Sequence, residues 1–210
     1  MNPAAKIKVM IVDDHPLMRV GIAAIINARP DMTVVSQAGT GEEAVASFRK
    51  DQPDLTLMDL RLPGSMSGVE AIARIRAIQP QAKVIVVTTY EGDEDIHRAL
   101  EAGARGYVIK GMPYQTLLEA LQKVHVGGRF IPPPVARALA SRMPDSDLSS
   151  RELEVLNLLV NGKSNKEIAN QLGITEATVK SHVSTILMRL NVEDRTQAAV
   201  TALRRGLVHF

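Results

Sequence analysis

Asp13, Asp14, Asp59, Thr88 and Lys110 are residues that could share one task, because each ends a short apolar run: Val9–Val12, Leu55–Met58, Val84–Val87 and Gly106–Ile109. Three carboxylates drawn to one place repel one another unless a cation neutralises them. The donors are all oxygens, with no cysteine and no histidine cluster, which selects Mg2+ over softer ions. A carboxylate beside Mg2+ and an ammonium suits nucleophilic attack on a phosphoryl group, since both cations stabilise the developing charge. One Asp at the end of one strand needs no function; the same feature on successive runs argues for a site.

The runs that carry these residues are β-branched and nearly continuous, as strands buried on both faces of a parallel sheet are. Thr33–Val35 adds a fifth, and helix-patterned stretches near 16–28, 41–50, 68–78, 94–102 and 113–125 lie between and after them. This alternation predicts an α/β doubly wound, five-stranded parallel sheet. The carboxyl ends of its strands would line the ligand crevice, where the polar residues fall.

The pattern changes after Gly127-Gly128. Pro132–Pro134, a short helical stretch to Arg142 and Met143–Asp147 read as a linker. From Leu148 onward only helices are signalled. Ser149 with Glu152 and Ser164 with Glu167 are capping boxes, and Gly173 then Thr175 mark a turn and a third helix start. A fourth helix runs from about Thr196 to Arg205 and closes on Gly206. The expected division is residues 1–126, a linker over 127–147, and a small all-α domain over 148–210. Helix 165–172, the glycine turn and helix 176–190 make a helix-turn-helix pattern. The last helix would bury Val179, Val183, Ile186, Leu187 and Leu190 and show Lys180, Ser181, Ser184, Thr185 and Arg189. The pattern alone fits a plain helical hairpin equally well.

Composition narrows the classes further. The 210 residues are 45% hydrophobic and 23% charged, which predicts packed cores. No apolar run approaches the ~20 residues of a membrane span, and Met1–Lys8 lacks the apolar core of a secretory signal. No membrane association and a cytoplasmic location are expected. Three tyrosines, three phenylalanines and no tryptophan are too few for a base-stacking surface. Acidic and basic residues balance at 15 each through residue 130, so the net +2 resides in 131–210, with 10 against 8. His15, His97, His125 and His209 lack metal-ligand spacing and are expected at the surface or in packing.

Two motifs point elsewhere. Gly39-Thr40-Gly41-Glu42-Glu43-Ala44 fits the dinucleotide fingerprint, with Asp59 roughly twenty residues on, and would make a small dinucleotide-dependent oxidoreductase. Glu42 and Glu43, however, put negative charge where a pyrophosphate would sit. Asp13, Asp14, Thr88 and Lys110 would also be left without a role, so no enzyme is expected. Gly162-Lys163-Ser164 matches the end of a P-loop, but Asn157 replaces its first glycine, and Ser164 serves better as a helix cap.

Residues 8–125 resemble a response-regulator receiver domain: Asp13-Asp14, Met58-Asp59-Leu60-Arg61-Leu62-Pro63-Gly64, Thr88, and Lys110 after Gly106-Tyr107-Val108-Ile109. Residues 148–208 resemble LuxR-type helix-turn-helix domains through Ser164–Ala169, Thr178-Val179-Lys180-Ser181-His182 and Arg195-Thr196-Gln197-Ala198. Together they are similar to the NarL/FixJ subfamily of two-component response regulators.

The resemblance implies a flavodoxin-like receiver in which a sensor histidine kinase phosphorylates Asp59. Mg2+ would be held by Asp14, Asp59 and the backbone carbonyl of Arg61, with Asp13 acting directly or through water. Lys110 would pair with the phosphoryl group, Thr88 and Tyr107 would form the switch pair, and Arg61 and Tyr90 would flank the site. The helix from Glu176 would enter the major groove of double-stranded DNA. Lys180, Ser181 and Ser184 would read bases there, and Asn165, Lys166, Thr178 and His182 would contact the backbone. The last helix would pair two copies on inverted half-sites. The implied function is phosphorylation-dependent transcriptional regulation; a regulator of the same build that works without phosphorylation is the alternative. Two features depart from the family: Pro63–Gly68 is one residue longer than its commonest form, and Gly111 follows Lys110 where many members have proline.

Overall fold

The computed structural model describes residues 6–89, 92–140 and 148–208. Tyr90, the linker stretch Met143–Asp147 and His209 lie outside the described residues. The chain forms two compact units, each with its own apolar core.

The first unit alternates β1 (Ile7–Val12), α1 (Pro16–Asn27), β2 (Met32–Ala38), α2 (Gly41–Asp51), β3 (Leu55–Met58), α3 (Gly68–Ile78), β4 (Val84–Thr88), α4 (Asp93–Glu101), β5 (Gly106–Ile109) and α5 (Tyr114–His125). All strand pairs are parallel, in the order β2-β1-β3-β4-β5. β3, β4 and β5 are buried throughout, which explains their unbroken apolar sequence. β2 lies at the sheet's edge and runs longer than its apolar core Thr33–Val35. Its Ser36 and Gln37 pair with β1 and are polar, so they carry no hydrophobic signal. At the other edge, Phe130 bridges to Gly106, and its carbonyl accepts from the Tyr107 N–H at 2.9 Å.

Strand order reverses at β1, which leaves a crevice beyond the carboxyl ends of β1 and β3. Main-chain bonds carry the sheet one residue past its strands at this end. Asp13 N–H donates to Ala38 O (3.1 Å), Asp59 N–H to Val12 O (2.9 Å) and Lys110 N–H to Thr88 O (2.7 Å). The polar residues at the strand ends are therefore held by the backbone itself.

A short α6 (Pro133–Ala140) precedes the helices of the second unit: α7 (Ser150–Val160), α8 (Asn165–Leu172), α9 (Glu176–Leu190) and α10 (Arg195–Arg205). Both expected capping boxes form, Ser149 with Glu152 and Ser164 with Glu167, and a third, Ser67 with Glu70, starts α3. Gly173 takes φ 64° to end α8, and Thr175 caps α9. Val155, Leu156, Leu159, Ile168, Val179 and Ile186 meet in the core. Among the described residues no helix is long and apolar enough to cross a membrane.

Candidate functional site

The carboxylates of Asp13 and Asp59 meet on the Lys110 ammonium. Nζ lies 2.7 Å from Asp13 Oδ2 and 2.5 Å from Asp59 Oδ2. Asp13 is 1% and Asp59 3% exposed. Burial works against the Lys110 charge, but the hydrogen bonds to Asp13 and Asp59 outweigh it and raise the lysine pKa. The other Asp59 oxygen, Oδ1, accepts from the Arg61 N–H at 3.2 Å. The loop that carries Arg61 returns to Gly68, whose N–H donates to Leu60 O; a Cβ there would collide with the main chain of Asp59 and Leu60. The β3–α3 loop can close over Asp59 only because residue 68 is glycine.

Asp13 Oδ1 accepts from the His15 N–H at 2.8 Å, an Asx-turn that sets Asp14 and His15 beside it. His15 Nδ1 lies 2.6 Å from Asp14 Oδ1 and 3.4 Å from Asp13 Oδ1. One ligand atom from each of Asp13, Asp14, His15 and Asp59 falls within 4.8 Å of the others. The three carboxylates and one ammonium leave two negative charges, the charge that one divalent cation cancels. Arg19, the nearby cation on α1, donates to the main-chain carbonyl of Asp13 at 2.6 Å.

Thr88 is fully buried, and its hydroxyl oxygen has no hydrogen-bond partner among the described residues. Tyr107 is also fully buried. β4 and β5 pair Val86 with Tyr107 and Thr88 with Ile109, so Thr88 and Tyr107 are diagonal neighbours on one sheet face. After Lys110 the chain turns through Gly111 at φ 100°, a conformation closed to proline.

In the helical unit α9 buries Val179, Ile186 and Leu190 and exposes Thr178, Lys180, Ser181, Ser184 and Met188. Ser181, Ser184 and Met188 form one stripe at helical spacing. The α9 start is fixed by Thr175, whose hydroxyl lies 2.8 Å from that of Thr178. Glu152 anchors the other side of the unit: buried in the capping box, it also takes the Arg189 guanidinium at 2.8 Å. Burial raises its pKa, but the Ser149 bonds with the Arg189 and His182 charges prevail and lower it.

Comparison with known proteins settles the relationship. Residues 9–122 match the response regulator receiver domain, and residues 146–202 match the bacterial regulatory proteins of the luxR family. The response regulator protein VraR of Staphylococcus aureus is 40% identical, over 96% of this chain and 99% of VraR. The chain belongs to the LuxR-family response regulators. The transcriptional regulatory protein LnrK of Bacillus subtilis is 39% identical to this response regulator, over 97% of the chain and all of LnrK. The structure of RcsB from Salmonella enterica bound to a promoter in the presence of phosphomimetic BeF3 superposes with a TM-score of 0.72 at 27% identity, covering 96% of this chain and 100% of that one.

The structure brings Asp13, Asp14, Asp59 and Lys110 of this response regulator into one cluster and places Thr88 and Tyr107 in adjoining strands. Lys166, Thr178, Lys180, Ser181 and Ser184 are exposed on the helical unit. Asn165 and His182 are half-buried, and Asn165 Oδ1 is enclosed without a partner. His15, expected as a surface or packing residue, joins the acid cluster; its place beside Asp14 in the sequence was the available signal. The dinucleotide fingerprint has a structural explanation. Glu43 accepts from the Gly39 N–H at 2.8 Å, Glu42 holds Ser65, and a Cβ on Gly41 would strike Met66. The amide a pyrophosphate would use is thus taken.

Proposed function

We propose that Asp59 is the phosphoacceptor and that its modification controls DNA binding through α9. One Asp59 oxygen is held by Lys110 and the other by a main-chain N–H, in a pocket whose acids leave room for a divalent charge; this arrangement carries the reading. A carboxylate oxygen of Asp59 would attack the phosphorus of a phosphohistidine on the kinase partner, forming the acyl phosphate as the P–N bond breaks. Mg2+, held by Asp14, Asp59 and the Arg61 carbonyl with Asp13 in support, would neutralise charge on the transferring group. Lys110 would move from the bare carboxylates to a phosphoryl oxygen. The Thr88 hydroxyl would find its missing partner there, and Tyr107 would follow on the same sheet face.

In the helical unit, Lys180, Ser181 and Ser184 would face base edges, with Lys166 and Thr178 on phosphates. Two copies would associate through α10, where Val200 is exposed, and read inverted half-sites. Residues 1–126 act as the receiver, 127–147 as the linker and 148–210 as the DNA-binding domain of a cytoplasmic regulator. Phosphate-affinity electrophoresis after acetyl phosphate and Mg2+ tests the acceptor: wild type should gain a shifted band that Asp59→Asn lacks. A shift retained by Asp59→Asn moves the acceptor elsewhere.

A further inference from the structure

α2 and α3 pack against one another and leave a groove of about 630 Å³ between them, away from the acid cluster. Val45 and Ala46 of α2 and Ala77 and Ile78 of α3 form its apolar lining. The two alanines are too small to fill the space, and Ile78 is left 38% exposed. On α2 the lining continues at helical spacing to Glu42 and Arg49; on α3 it continues to Arg74. The charges there are uneven. Glu42 is taken by Ser65, whose hydroxyl and N–H donate to its Oε1 at 2.7 Å and 3.2 Å. Arg49 and Arg74 are exposed, and neither forms an ion pair among the described residues.

We propose that this groove docks an acidic amphipathic helix of a partner protein, with its aliphatic ridge on Val45, Ala46, Ala77 and Ile78 and its carboxylates on Arg49 and Arg74. The groove lies open to water between two helices, which suits a protruding ridge better than a small molecule that needs enclosure. From Glu42 to Arg49 α2 rises about 10 Å, the span over which a partner helix presents anchors at i, i+3, i+4 and i+7. Basic rims beside an apolar floor select acidic flanks on that ridge, and they repel a basic helix. A second copy of the chain offers no such ridge from its α1 or α10. Leu17 and Val20 on α1 and Val200 on α10 are exposed, but neither helix carries an acidic residue.

Fluorescence anisotropy of the full chain with two labelled peptides of about fifteen residues tests this. One carries leucine at i, i+3, i+4 and i+7 flanked by glutamate, and the other has lysine in place of each glutamate. Wild type should favour the glutamate peptide. Arg49→Glu/Arg74→Glu should weaken that peptide about tenfold or more and reverse the preference. Ile78→Ser, which removes apolar surface and no charge, should weaken it about fivefold. Glutamate-peptide binding that survives the double charge reversal lies elsewhere and overturns the proposal. Binding that is lost on charge reversal but unchanged by Ile78→Ser reports a basic patch rather than a groove, and overturns it too. A wild-type chain that binds neither peptide also overturns it. Self-association in sedimentation that the double reversal abolishes would give the groove to a second copy, against the proposal.

Discussion

Lys110 Nζ sits 2.5 Å from Asp59 Oδ2 while the same nitrogen holds Asp13 Oδ2 at 2.7 Å, so one ammonium ties the ends of β1 and β3 to β5. All three side chains are buried. Removing one partner of such a set leaves unpaired charge out of water, at a cost of about 3–5 kcal/mol. Lys110→Met should therefore lower stability by about 3 kcal/mol in urea unfolding without divalent ions. Added Mg2+ should recover part of that loss, because it supplies the missing positive charge. A variant as stable as wild type would show that the pair contributes nothing.

Thr88 presents the opposite case, a buried hydroxyl with no partner among the described residues. Such a group costs about 1–3 kcal/mol, and valine has nearly the same shape without it. Thr88→Val should stabilise the unmodified protein by about 1 kcal/mol in denaturant titration. The same change should shrink the gain in promoter affinity produced by beryllium fluoride. An undiminished gain would remove Thr88 from the switch.

Gly68 lets the Asp59 loop close. Gly68→Ala forces a Cβ into the main chain of Asp59 and Leu60, and overpacking of this kind costs about 1–3 kcal/mol. Urea unfolding should show that loss, and labelling by acetyl phosphate should slow as the Arg61 N–H leaves Asp59 Oδ1. Unchanged labelling would show that the loop position is irrelevant to the acceptor.

Glu152 ties stability of the helical unit to pH. Its carboxyl pKa is lowered in the fold, so the unfolded chain binds the proton more tightly. The stability it contributes is complete above the unfolded value of 4.5 and disappears as pH falls through the lower folded value. The difference in Tm between wild type and Glu152→Gln, followed by circular dichroism, should be widest above pH 4.5 and shrink as the pH falls below it. A pH-independent difference would contradict the assignment.

Much of this was legible in the residues because burial on both faces leaves an unbroken apolar run, and β3, β4 and β5 are so buried. Asp13, Asp59, Thr88 and Lys110 could be grouped before any coordinates, since parallel topology alone brings strand ends together. Ser164 and Glu167 announced α8 through local chemistry. His15 was harder: its position beside Asp14 is readable, but the ring's contact with that carboxylate is not encoded by residue type. Gly41 misled for a related reason, as its small size answers to Met66 from a distant loop and mimics a cofactor motif. Asn165, which the resemblance implies as a DNA-backbone contact, has its side-chain oxygen enclosed by the packing.

Lys180 is exposed on α9 and is the proposed charged contact to a base edge. Lys180→Ala should cost about 1–3 kcal/mol of promoter affinity and relax sequence preference at one position of the half-site. Gel-shift titration against wild-type and singly substituted operators checks both. A uniform loss across all sequences would assign Lys180 to phosphates instead.

Borohydride reduction of the acetyl phosphate-treated protein, followed by peptide mass spectrometry, tests the central claim most directly, because an aspartyl phosphate is converted to homoserine where it stood. Homoserine is expected at position 59 of the wild-type chain, in a Mg2+-dependent yield, with the treated protein binding its operator more tightly. Homoserine at position 13 or 14, or no conversion in a fully folded sample, would contradict the assignment of Asp59.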